Sequence, residues 1–445
     1  MHTWYEQAVF YHIYPLGLLG AEKTNTLTET AHRLTELESW IPHISDLNGS
    51  AIYIGPLFES CTHGYDTKDF RLVDRRLGSN EDFARFVRLC HENGIRVVVD
   101  GVFNHTGREF FAFQDIREKR EASPYKDWYR GVNFGWGSPL GDPFGYEAWQ
   151  GHFELPCLNL WNPEVRQYLF DSIQFWVDNF NIDGIRLDCA NVLDFGFMKE
   201  LREKTSAMKP DFWLMGEVIH GEYNRWVNPE MLHSVTNYEL HKALYSGHND
   251  HNYFEIAHNV RRLEAVGRSL YTFVDNHDED RIASKLNNLA NLFPVYQLLF
   301  TLPGIPSVYY GSEWGIEGKR SRTSDEVLRP ALNLSDMHGK APELASHIAA
   351  LGKIHTENDA FHNGSYKELL LTNRQYAFSR SREHVTVISA VNNDEQPASI
   401  SIPLPCAASD VVSLLPGEIP FSLENGRLSV TLPANGGAIF KLQEV

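Results

Sequence analysis

The chain has 445 residues, of which 42% are hydrophobic and 12% aromatic, proportions that suit a large buried core. Its formal net charge of −18 disfavours binding to nucleic acids and to anionic membranes. No apolar run approaches membrane-spanning length, and Met1–Phe10 lacks the pattern of a secretory signal. Five scattered cysteines without CxxC spacing favour reduced thiols, so the composition predicts a cytoplasmic protein without nucleic-acid or membrane partners.

Strand-like and helix-like segments alternate along the chain as far as Tyr310. A helical stretch is predicted around Thr30–Trp40, and capping signatures at Ser79 and Asn162 predict the starts of two further helices. Eight such strands separated by helices predict an α/β fold of the (β/α)8 barrel type. A doubly wound sheet is the alternative, but no GxGxxG follows the first strand. The predicted strands are Val9–Tyr14, Ala51–Gly55, Arg96–Asp100, Gly184–Asp188, Phe212–Gly216, Ser234–Tyr238, Leu270–Val274 and Pro306–Tyr310.

The alternation is interrupted once and ends before the C-terminus. Between Gly107 and Cys157 the sequence is rich in Gly, Pro and aromatic residues, and it is too long for an ordinary loop. After about Phe361, runs such as His384–Ile388 alternate polar and apolar residues, which predicts a C-terminal antiparallel β-sandwich. The predicted domains are the barrel at 1–106 and 158–358, an inserted domain at 107–157, and the sandwich at 361–445.

Four of the predicted strands end in charged or polar side chains. In a barrel of this kind, the reaction centre lies at the C-terminal ends of the strands. Surface exposure explains a single polar strand end, but four sets that converge on one barrel mouth indicate a functional site. The four sets are Asp100–His105, Arg186 with Asp188, Glu217, and Asp275–Asp278.

Carboxylates and histidines at one barrel mouth suit glycoside hydrolysis. That reaction needs a proton donor for the leaving oxygen and a carboxylate for the developing oxocarbenium ion. Glu217 stands between Gly216 and Val218, where apolar walls would raise its pKa as a proton donor requires. Arg186 and Asp188 share one face of a strand, because side chains alternate. A guanidinium there keeps Asp188 ionised, as a nucleophile requires.

The strand-end segments resemble, in order and spacing, the signature regions of glycoside hydrolase family 13, the α-amylase family. The inserted stretch is similar to that family's domain B, and the β tail to its domain C. The resemblance implies an enzyme that cleaves glycosidic bonds and retains the anomeric configuration. The matching segments are Asp100–His105, Gly184–Asp188, Gly216–Val218 and Phe273–Asp278.

The resemblance also implies a role for each matching residue. Asp188 would be the nucleophile, and Glu217 the general acid and then the general base. Asp278 would bind sugar hydroxyls and stabilise the transition state, while Arg186 would orient Asp188. Two histidines would hydrogen-bond the sugar in the cleaved subsite, namely His105 and His277.

Further candidate substrate contacts follow the second predicted strand and the nucleophile. His63-Gly64-Tyr65-Asp66 resembles the family segment whose Tyr stacks on the same sugar, and Tyr65 has the flat face for this. The alternatives are a packed loop aromatic for Tyr65 and a plain loop histidine for His63. Asn191 and Val192 stand where many α-amylases have a Lys-His pair on the leaving-group side, which makes Asn191 a candidate contact.

The segment after the nucleophile distinguishes branches of the family. The run Asp188-Cys189-Ala190-Asn191 is closer to the cyclomaltodextrinase and neopullulanase branch. That branch usually has an extra N-terminal β domain, whereas the first predicted barrel strand here begins near Val9. Three tryptophans are either sugar platforms at outer subsites or packing residues, namely Trp161, Trp226 and Trp314.

The predicted metal requirement rests on two positions. Asn104 matches a calcium ligand of the family, but its alternative role is a hydrogen bond that braces the loop. Cys157 stands in the segment that commonly supplies an acid, and a thiol is a poor ligand for calcium. A calcium ion is therefore compatible with the sequence but not implied, and no cofactor is expected to be required. Cys157 and Cys189 are interpreted as small buried side chains.

The leading prediction is a cytoplasmic hydrolase of α-1,4-linked glucose oligomers, either linear maltodextrins or cyclic malto-oligosaccharides. A glucanotransferase or sugar isomerase on the same fold is the first alternative, because the same three carboxylates serve both reactions. A non-catalytic binding protein is the second, disfavoured because Asp188, Glu217 and Asp278 are all present. Endo or exo action, tolerance of α-1,6 bonds and the oligomeric state, with a dimer as one option, stay open.

Overall fold

Apolar, β-branched runs form the strands of a central parallel sheet in the computed structural model, which describes residues 3–444. Residues 1–2, at the start of the predicted barrel, and residue 445, at the end of the predicted sandwich, lie outside this range. In chain order the first twelve strands are β1 (Phe10–Ile13), β2 (Ala51–Ile54), β3 (Phe58–Ser60), β4 (Thr67–Val73), β5 (Arg96–Gly101), β6 (Ala148–Trp149), β7 (His152–Pro156), β8 (Gly184–Leu187), β9 (Trp213–Gly216), β10 (Ser234–Val235), β11 (Tyr271–Phe273) and β12 (Ile305–Tyr309).

Eight of these strands form the barrel. They pair in parallel in the order β10-β9-β8-β5-β2-β1-β12-β11. A parallel bridge between Thr236 and Tyr271 joins the two outer strands and closes the sheet. The predicted (β/α)8 barrel is confirmed, and the doubly wound alternative is wrong. The predicted strand Ser234–Tyr238 is shorter than expected, because the Asn237 side chain accepts a hydrogen bond from Leu240 N and begins a helix instead.

Helices fill the connections between the strands. Both predicted caps are confirmed: Ser79 and Asp82 form a reciprocal capping box, and the Asn162 side chain accepts from Glu164 N. The helices are α1 (Pro15–Leu18), α2 (Trp40–Asp46), α3 (Asn80–Glu92), α4 (Phe111–Lys119), α5 (Pro163–Phe180), α6 (Phe195–Met208), α7 (Tyr238–Asn249), α8 (Tyr253–Arg262), α9 (Ile282–Lys285), α10 (Leu292–Thr301), α11 (Leu334–Met337), α12 (Pro342–Glu357) and α13 (Ala360–Asn363).

The helix predicted around Thr30–Trp40 is wrong in its bounds. Arg33–Ser39 forms 3-10 turns, and the α-helix begins only at Trp40. Pro42 has no N–H to donate and is tolerated only in the first turn of a helix, which is where it lies in α2.

The segment between β5 and α5 borders the mouth of the barrel. It contains α4 and the antiparallel hairpin of β6 and β7. Asp142, whose side chain is fully buried, binds both Arg108 (2.5 Å) and Arg117 (3.0 Å). At its end, Cys157 forms an antiparallel bridge with His105, so the inserted segment is hydrogen-bonded to a polar strand end of the barrel.

The C-terminal strands form two antiparallel sheets, as predicted for a sandwich. One sheet has the order β13-β14-β15-β20-β17 and the other β16-β19-β18. Apolar residues of both, among them Ile388 and Leu428, share one core. The strands are β13 (Ser365–Leu371), β14 (Gln375–Arg382), β15 (Val385–Asn392), β16 (Ala398–Pro403), β17 (Ala408–Ser413), β18 (Phe421–Glu424), β19 (Arg427–Leu432) and β20 (Gly436–Glu444).

The sandwich is attached to the barrel through helix α10. The buried Gln297 side chain on that helix donates to Ala390 O and Ala438 O, both at 3.1 Å. Among residues 3–444, no helix combines the length and the apolarity needed to cross a bilayer.

Candidate active site

The polar strand ends meet around one buried guanidinium. Arg186, only 3% exposed, lies near the end of β8. Its Nη1 is 2.8 Å from Asp100 Oδ1 and 2.7 Å from Asp188 Oδ1, and its Nη2 is 3.0 Å from Glu217 Oε2. The carboxylates of β5, β8 and β9 thus share one cation. That explains how these charges are accommodated inside the barrel.

Asp188 and Glu217 form a close pair with different surroundings. One oxygen of each carboxylate lies within 4.8 Å of the other, and both residues are buried. Glu217 Oε2 also accepts a hydrogen bond from Cys189 N at 3.1 Å. Burial raises the pKa of Glu217 to about 7; Arg186 opposes this effect, and the negative charge of Asp188 adds to it. Glu217 can therefore carry a proton near neutral pH.

The surroundings of Asp278 favour its ionised form, whereas those of Glu217 favour the protonated acid. His277 Nε2 lies 3.0 Å from its Oδ2, and Arg329 Nη2 lies 2.7 Å from its Oδ1. Burial favours the neutral acid, but the nearby His277 and then Arg329 outweigh it and hold the pKa of Asp278 well below its usual range. Asn276 Oδ1 accepts from the Asp278 backbone N–H at 2.9 Å and fixes the turn. Asp278 is therefore ionised near neutral pH and can accept hydrogen bonds.

Two aromatic rings line the barrel mouth beside His277. Tyr65 stacks on the imidazole with centroids 5.8 Å apart, and its hydroxyl is 2.5 Å from His277 Nε2 and 3.2 Å from Asp100 Oδ2. Tyr14 stacks on the imidazole as well, at 5.5 Å. Because Tyr65 is only partly buried, its ring offers apolar surface to a ligand in the mouth.

His105 is the second predicted sugar-binding histidine. It is 1% exposed, and its ring stacks on Trp149 of the inserted hairpin at 6.2 Å. Its Nε2 has no hydrogen-bond partner among the described residues. Burial lowers the pKa of His105, so the ring is neutral at pH 7. A neutral imidazole with a free ring nitrogen suits a sugar hydroxyl.

Other predicted contacts lie at the edge of the site. His63 is exposed, its Nδ1 accepts from Tyr65 N at 3.2 Å, and it lines a cleft of about 510 Å³ with Tyr14 and Arg329. Asn191 is exposed in the 3-10 turn Ala190–Val192 after the nucleophile position. Neither side chain contacts the central carboxylates in the described hydrogen bonds.

The three candidate tryptophans differ in exposure. Trp226 and Trp314 are 4% and 8% exposed, which supports packing rather than a sugar platform. Trp161 is 75% exposed, and its Nε1 donates to Asp194 Oδ2 at 3.0 Å. Asp194 follows Asn191 in the same loop, so Trp161 presents a fixed, open ring beside that loop.

The position considered for calcium is already engaged in protein contacts. Asn104 Nδ2 lies 3.1 Å from His105 Nδ1, and Asn104 O accepts from Leu158 N at 2.9 Å. These bonds brace the loop, as the alternative interpretation of Asn104 predicts. Cys157 is buried, and burial raises the pKa of its thiol. A neutral thiol does not suit a cation that prefers several oxygen ligands, and Asn104 offers only one side-chain oxygen.

Three residues at the site were not predicted. Tyr14 directly follows β1, and Tyr238 lies three residues beyond β10 at the end of the predicted strand Ser234–Tyr238, so the rule applied to the polar strand ends would have found both. Tyr238 OH lies 3.5 Å from Glu217 Oε1 and accepts a hydrogen bond from Asn276 Nδ2 at 3.2 Å. Arg329 comes from the long connection after β12, where no local pattern marks it.

Comparison with known proteins shows which family the chain resembles. The family model "Alpha amylase, catalytic domain" matches residues 25–347. The chain is 30% identical to a cyclomaltodextrinase of Geobacillus thermopakistaniensis over 99% of its own length and 78% of that protein. It is 29% identical, with the same coverage, to a maltogenic α-amylase of Bacillus acidopullulyticus.

Solved structures give the same result at the level of the fold. A debranching enzyme from Nostoc punctiforme superposes with a TM-score of 0.85 at 27% identity, and the match covers 99% of this chain and 100% of that one. Cyclic α-maltosyl-(1→6)-maltose hydrolase from Arthrobacter globiformis superposes with a TM-score of 0.83 at 25% identity over 99% of both chains.

Proposed function

Because the chain belongs to the α-amylase family of glycoside hydrolases, we propose that it cleaves α-1,4-glucosidic bonds of maltodextrins or cyclic malto-oligosaccharides with retention of configuration. The observation that carries the stereochemistry is the separation of less than 4.8 Å between oxygens of Asp188 and Glu217. Retaining glycosidases place their two carboxyl groups about 5–5.5 Å apart, whereas inverting ones need about 6.5–9.5 Å to hold a water between them.

The first step transfers the sugar to the protein. Glu217 donates its proton to the glycosidic oxygen as the bond from that oxygen to the anomeric carbon breaks. Asp188 attacks the same carbon and forms a covalent ester with inverted configuration. In the second step, Glu217 takes a proton from water, whose oxygen displaces Asp188 from the carbon. Two inversions restore the original configuration and regenerate both side chains.

Other residues support these steps without forming covalent bonds to the sugar. Arg186 Nη1 donates to Asp188 Oδ1 at 2.7 Å and so orients the carboxylate. Asp278, kept charged by His277 and Arg329, accepts hydrogen bonds from sugar hydroxyls and stabilises the oxocarbenium-like transition state. Tyr65 provides the stacking surface for the sugar. The cleft beside Tyr14 and Arg329 has room for further glucose units of the substrate.

Transfer to a sugar acceptor is the second candidate reaction. It needs the same carboxylates, with a sugar hydroxyl in place of water in the second step. The observation that favours it is Trp161, whose open ring could hold an acceptor sugar beside the loop that contains Asn191. No contact among the described residues favours an isomerase in the same way.

A product analysis tests the proposed function. We expect maltotriose and a cyclodextrin to be cleaved, with the new reducing ends appearing first as the α-anomer in proton NMR spectra. Pullulan in the same series reports whether α-1,6 bonds are tolerated. Early β-anomer would contradict retention, and products longer than a maltotetraose substrate would favour transfer over hydrolysis.

We expect the proposed reaction to need no metal ion, because Cys157 supplies a thiol where a calcium site needs an oxygen ligand. Incubation with excess EDTA is therefore expected to leave both activity and the midpoint of thermal unfolding unchanged. A bound ion would stabilise the folded state, so its removal would lower that midpoint. Loss of activity that added calcium chloride restores would contradict this prediction.

A further inference from the structure

Cys189 contacts both catalytic carboxylates. Its Sγ lies 3.2 Å from Asp188 Oδ2, within the reach of a thiol hydrogen bond, and its backbone N–H donates to Glu217 Oε2 at 3.1 Å. The residue is 9% exposed, and its φ of 49° is in the left-handed region. The thiol is buried, as predicted, but it does more than fill space, since it bonds the nucleophile.

The two oxygens of Asp188 have different partners. Oδ1 accepts the charged hydrogen bond from Arg186 Nη1 at 2.7 Å. Among the hydrogen bonds of the described residues, Oδ2 has the Cys189 thiol as its partner. Charge-assisted bonds to a guanidinium are strong and persist through the reaction, while a thiol is a weak donor. Oδ2 is therefore the oxygen that can leave its partner and bond to carbon.

We propose that Cys189 is a positioning residue: its S–H holds Asp188 Oδ2, the attacking oxygen, in the free enzyme and releases it when the bond to the sugar forms. The inference rests on the proposed function, since it requires Asp188 to be the nucleophile. A weak donor suits this task, because the bond to Oδ2 must be lost in the transition state. A hydroxyl at this position would bind the carboxylate more strongly and would resist that loss.

The geometry allows the thiol to be tested alone. The contact with Glu217 is made by the backbone, so Cys189→Ala removes the bond to Asp188 and keeps the other. The charged and titratable groups around Asp188 lie on two other strand ends and on its own strand, and these variants leave them unchanged; they are Asp100, His105, Arg186 and Glu217.

The experiment compares Cys189→Ala and Cys189→Ser with wild type and with Cys406→Ala, which removes a thiol from the connection between β16 and β17. The readout is kcat/KM as a function of pH on a maltosyl fluoride, because kcat/KM reports the glycosylation step and a fluoride leaving group needs no proton from Glu217. Cys189→Ala is expected to move the acidic limb up by about half a pH unit, because the ionised Asp188 loses a donor. Cys189→Ser is expected to leave that limb at or below the wild-type position and to slow glycosylation about three-fold.

Two results would overturn the inference: an acidic limb that stays in place in Cys189→Ala, or equal shifts in the alanine and serine variants. If the alanine variant does not fold, Cys189→Gly takes its place, because glycine also lacks a side-chain donor and adopts the left-handed backbone without strain. Failure of the proposed function gives a different result, because an active Asp188→Asn variant would show that Asp188 is not the nucleophile. An inactive Asp188→Asn together with an unmoved limb would refute only the role of Cys189.

Discussion

Asp188→Asn is expected to lower kcat on maltotriose by at least about 10⁴-fold while leaving the fold intact. The amide has the shape of the carboxylate and can still accept from Arg186 Nη1, which lies 2.7 Å from Oδ1 in the wild-type protein. It is a poor nucleophile, however, and it cannot form the ester. Reducing-sugar release gives the rate, and circular dichroism with a thermal melt reports the fold.

The matched control is Asp46→Asn, the same change at an exposed position at the end of α2. It is expected to keep wild-type activity. If Asp188→Asn retains activity within ten-fold of the control, another group attacks the sugar and the mechanism proposed here is wrong.

Glu217→Gln is expected to lower kcat/KM on maltosides by about 10³-fold, because the leaving oxygen loses its proton donor. A maltosyl fluoride needs no such donor, so its glycosylation should be affected much less. In the wild type, kcat/KM on maltosides should fall as pH rises through about 7, the pKa to which burial raises Glu217. Glu203→Gln, on the exposed face of α6, is the control. Equal losses on both substrates would exclude Glu217 as the acid.

The same substitution should affect stability in one pH range only. The Glu217 carboxyl has a higher pKa folded than unfolded, so the folded chain binds more protons between pH 4.5 and about 7. Its contribution to stability is thus full below pH 4.5 and is lost as pH rises to about 7. The difference between these two pKa values corresponds to roughly 3 kcal/mol. Urea unfolding should show that Glu217→Gln gains stability over wild type at pH 8 but not at pH 4. A gain of equal size at both pH values would contradict this account.

The sequence predicts the barrel and the centre of its site for one physical reason. Alternating side chains place Arg186 and Asp188 on the same face of a strand, and the barrel topology brings the ends of β5, β8, β9 and β11 together. The positions of the strand ends in the sequence are therefore enough to locate these side chains.

What the sequence does not predict depends on chain paths between the elements. Arg329 reaches Asp278 from a connection without regular structure. Tyr14, which lies beside it, is the last residue of the first predicted strand and is not predicted as a site residue. The contact of the Cys189 thiol with Asp188 depends on a left-handed backbone turn at a non-glycine residue, which composition does not signal. The start of α2 at Trp40 was set by Pro42 rather than by apolar periodicity.

The shared guanidinium has a consequence for the energetics of the first step. Arg186 contacts both Asp188 and Glu217. As the ester forms, Asp188 loses its negative charge while Glu217, having given up its proton, acquires one. The sum of charge next to the guanidinium is the same before and after the step, so the cation keeps a carboxylate partner without moving. A site that only relocates charge between two oxygens around a fixed cation requires little reorganisation of its surroundings.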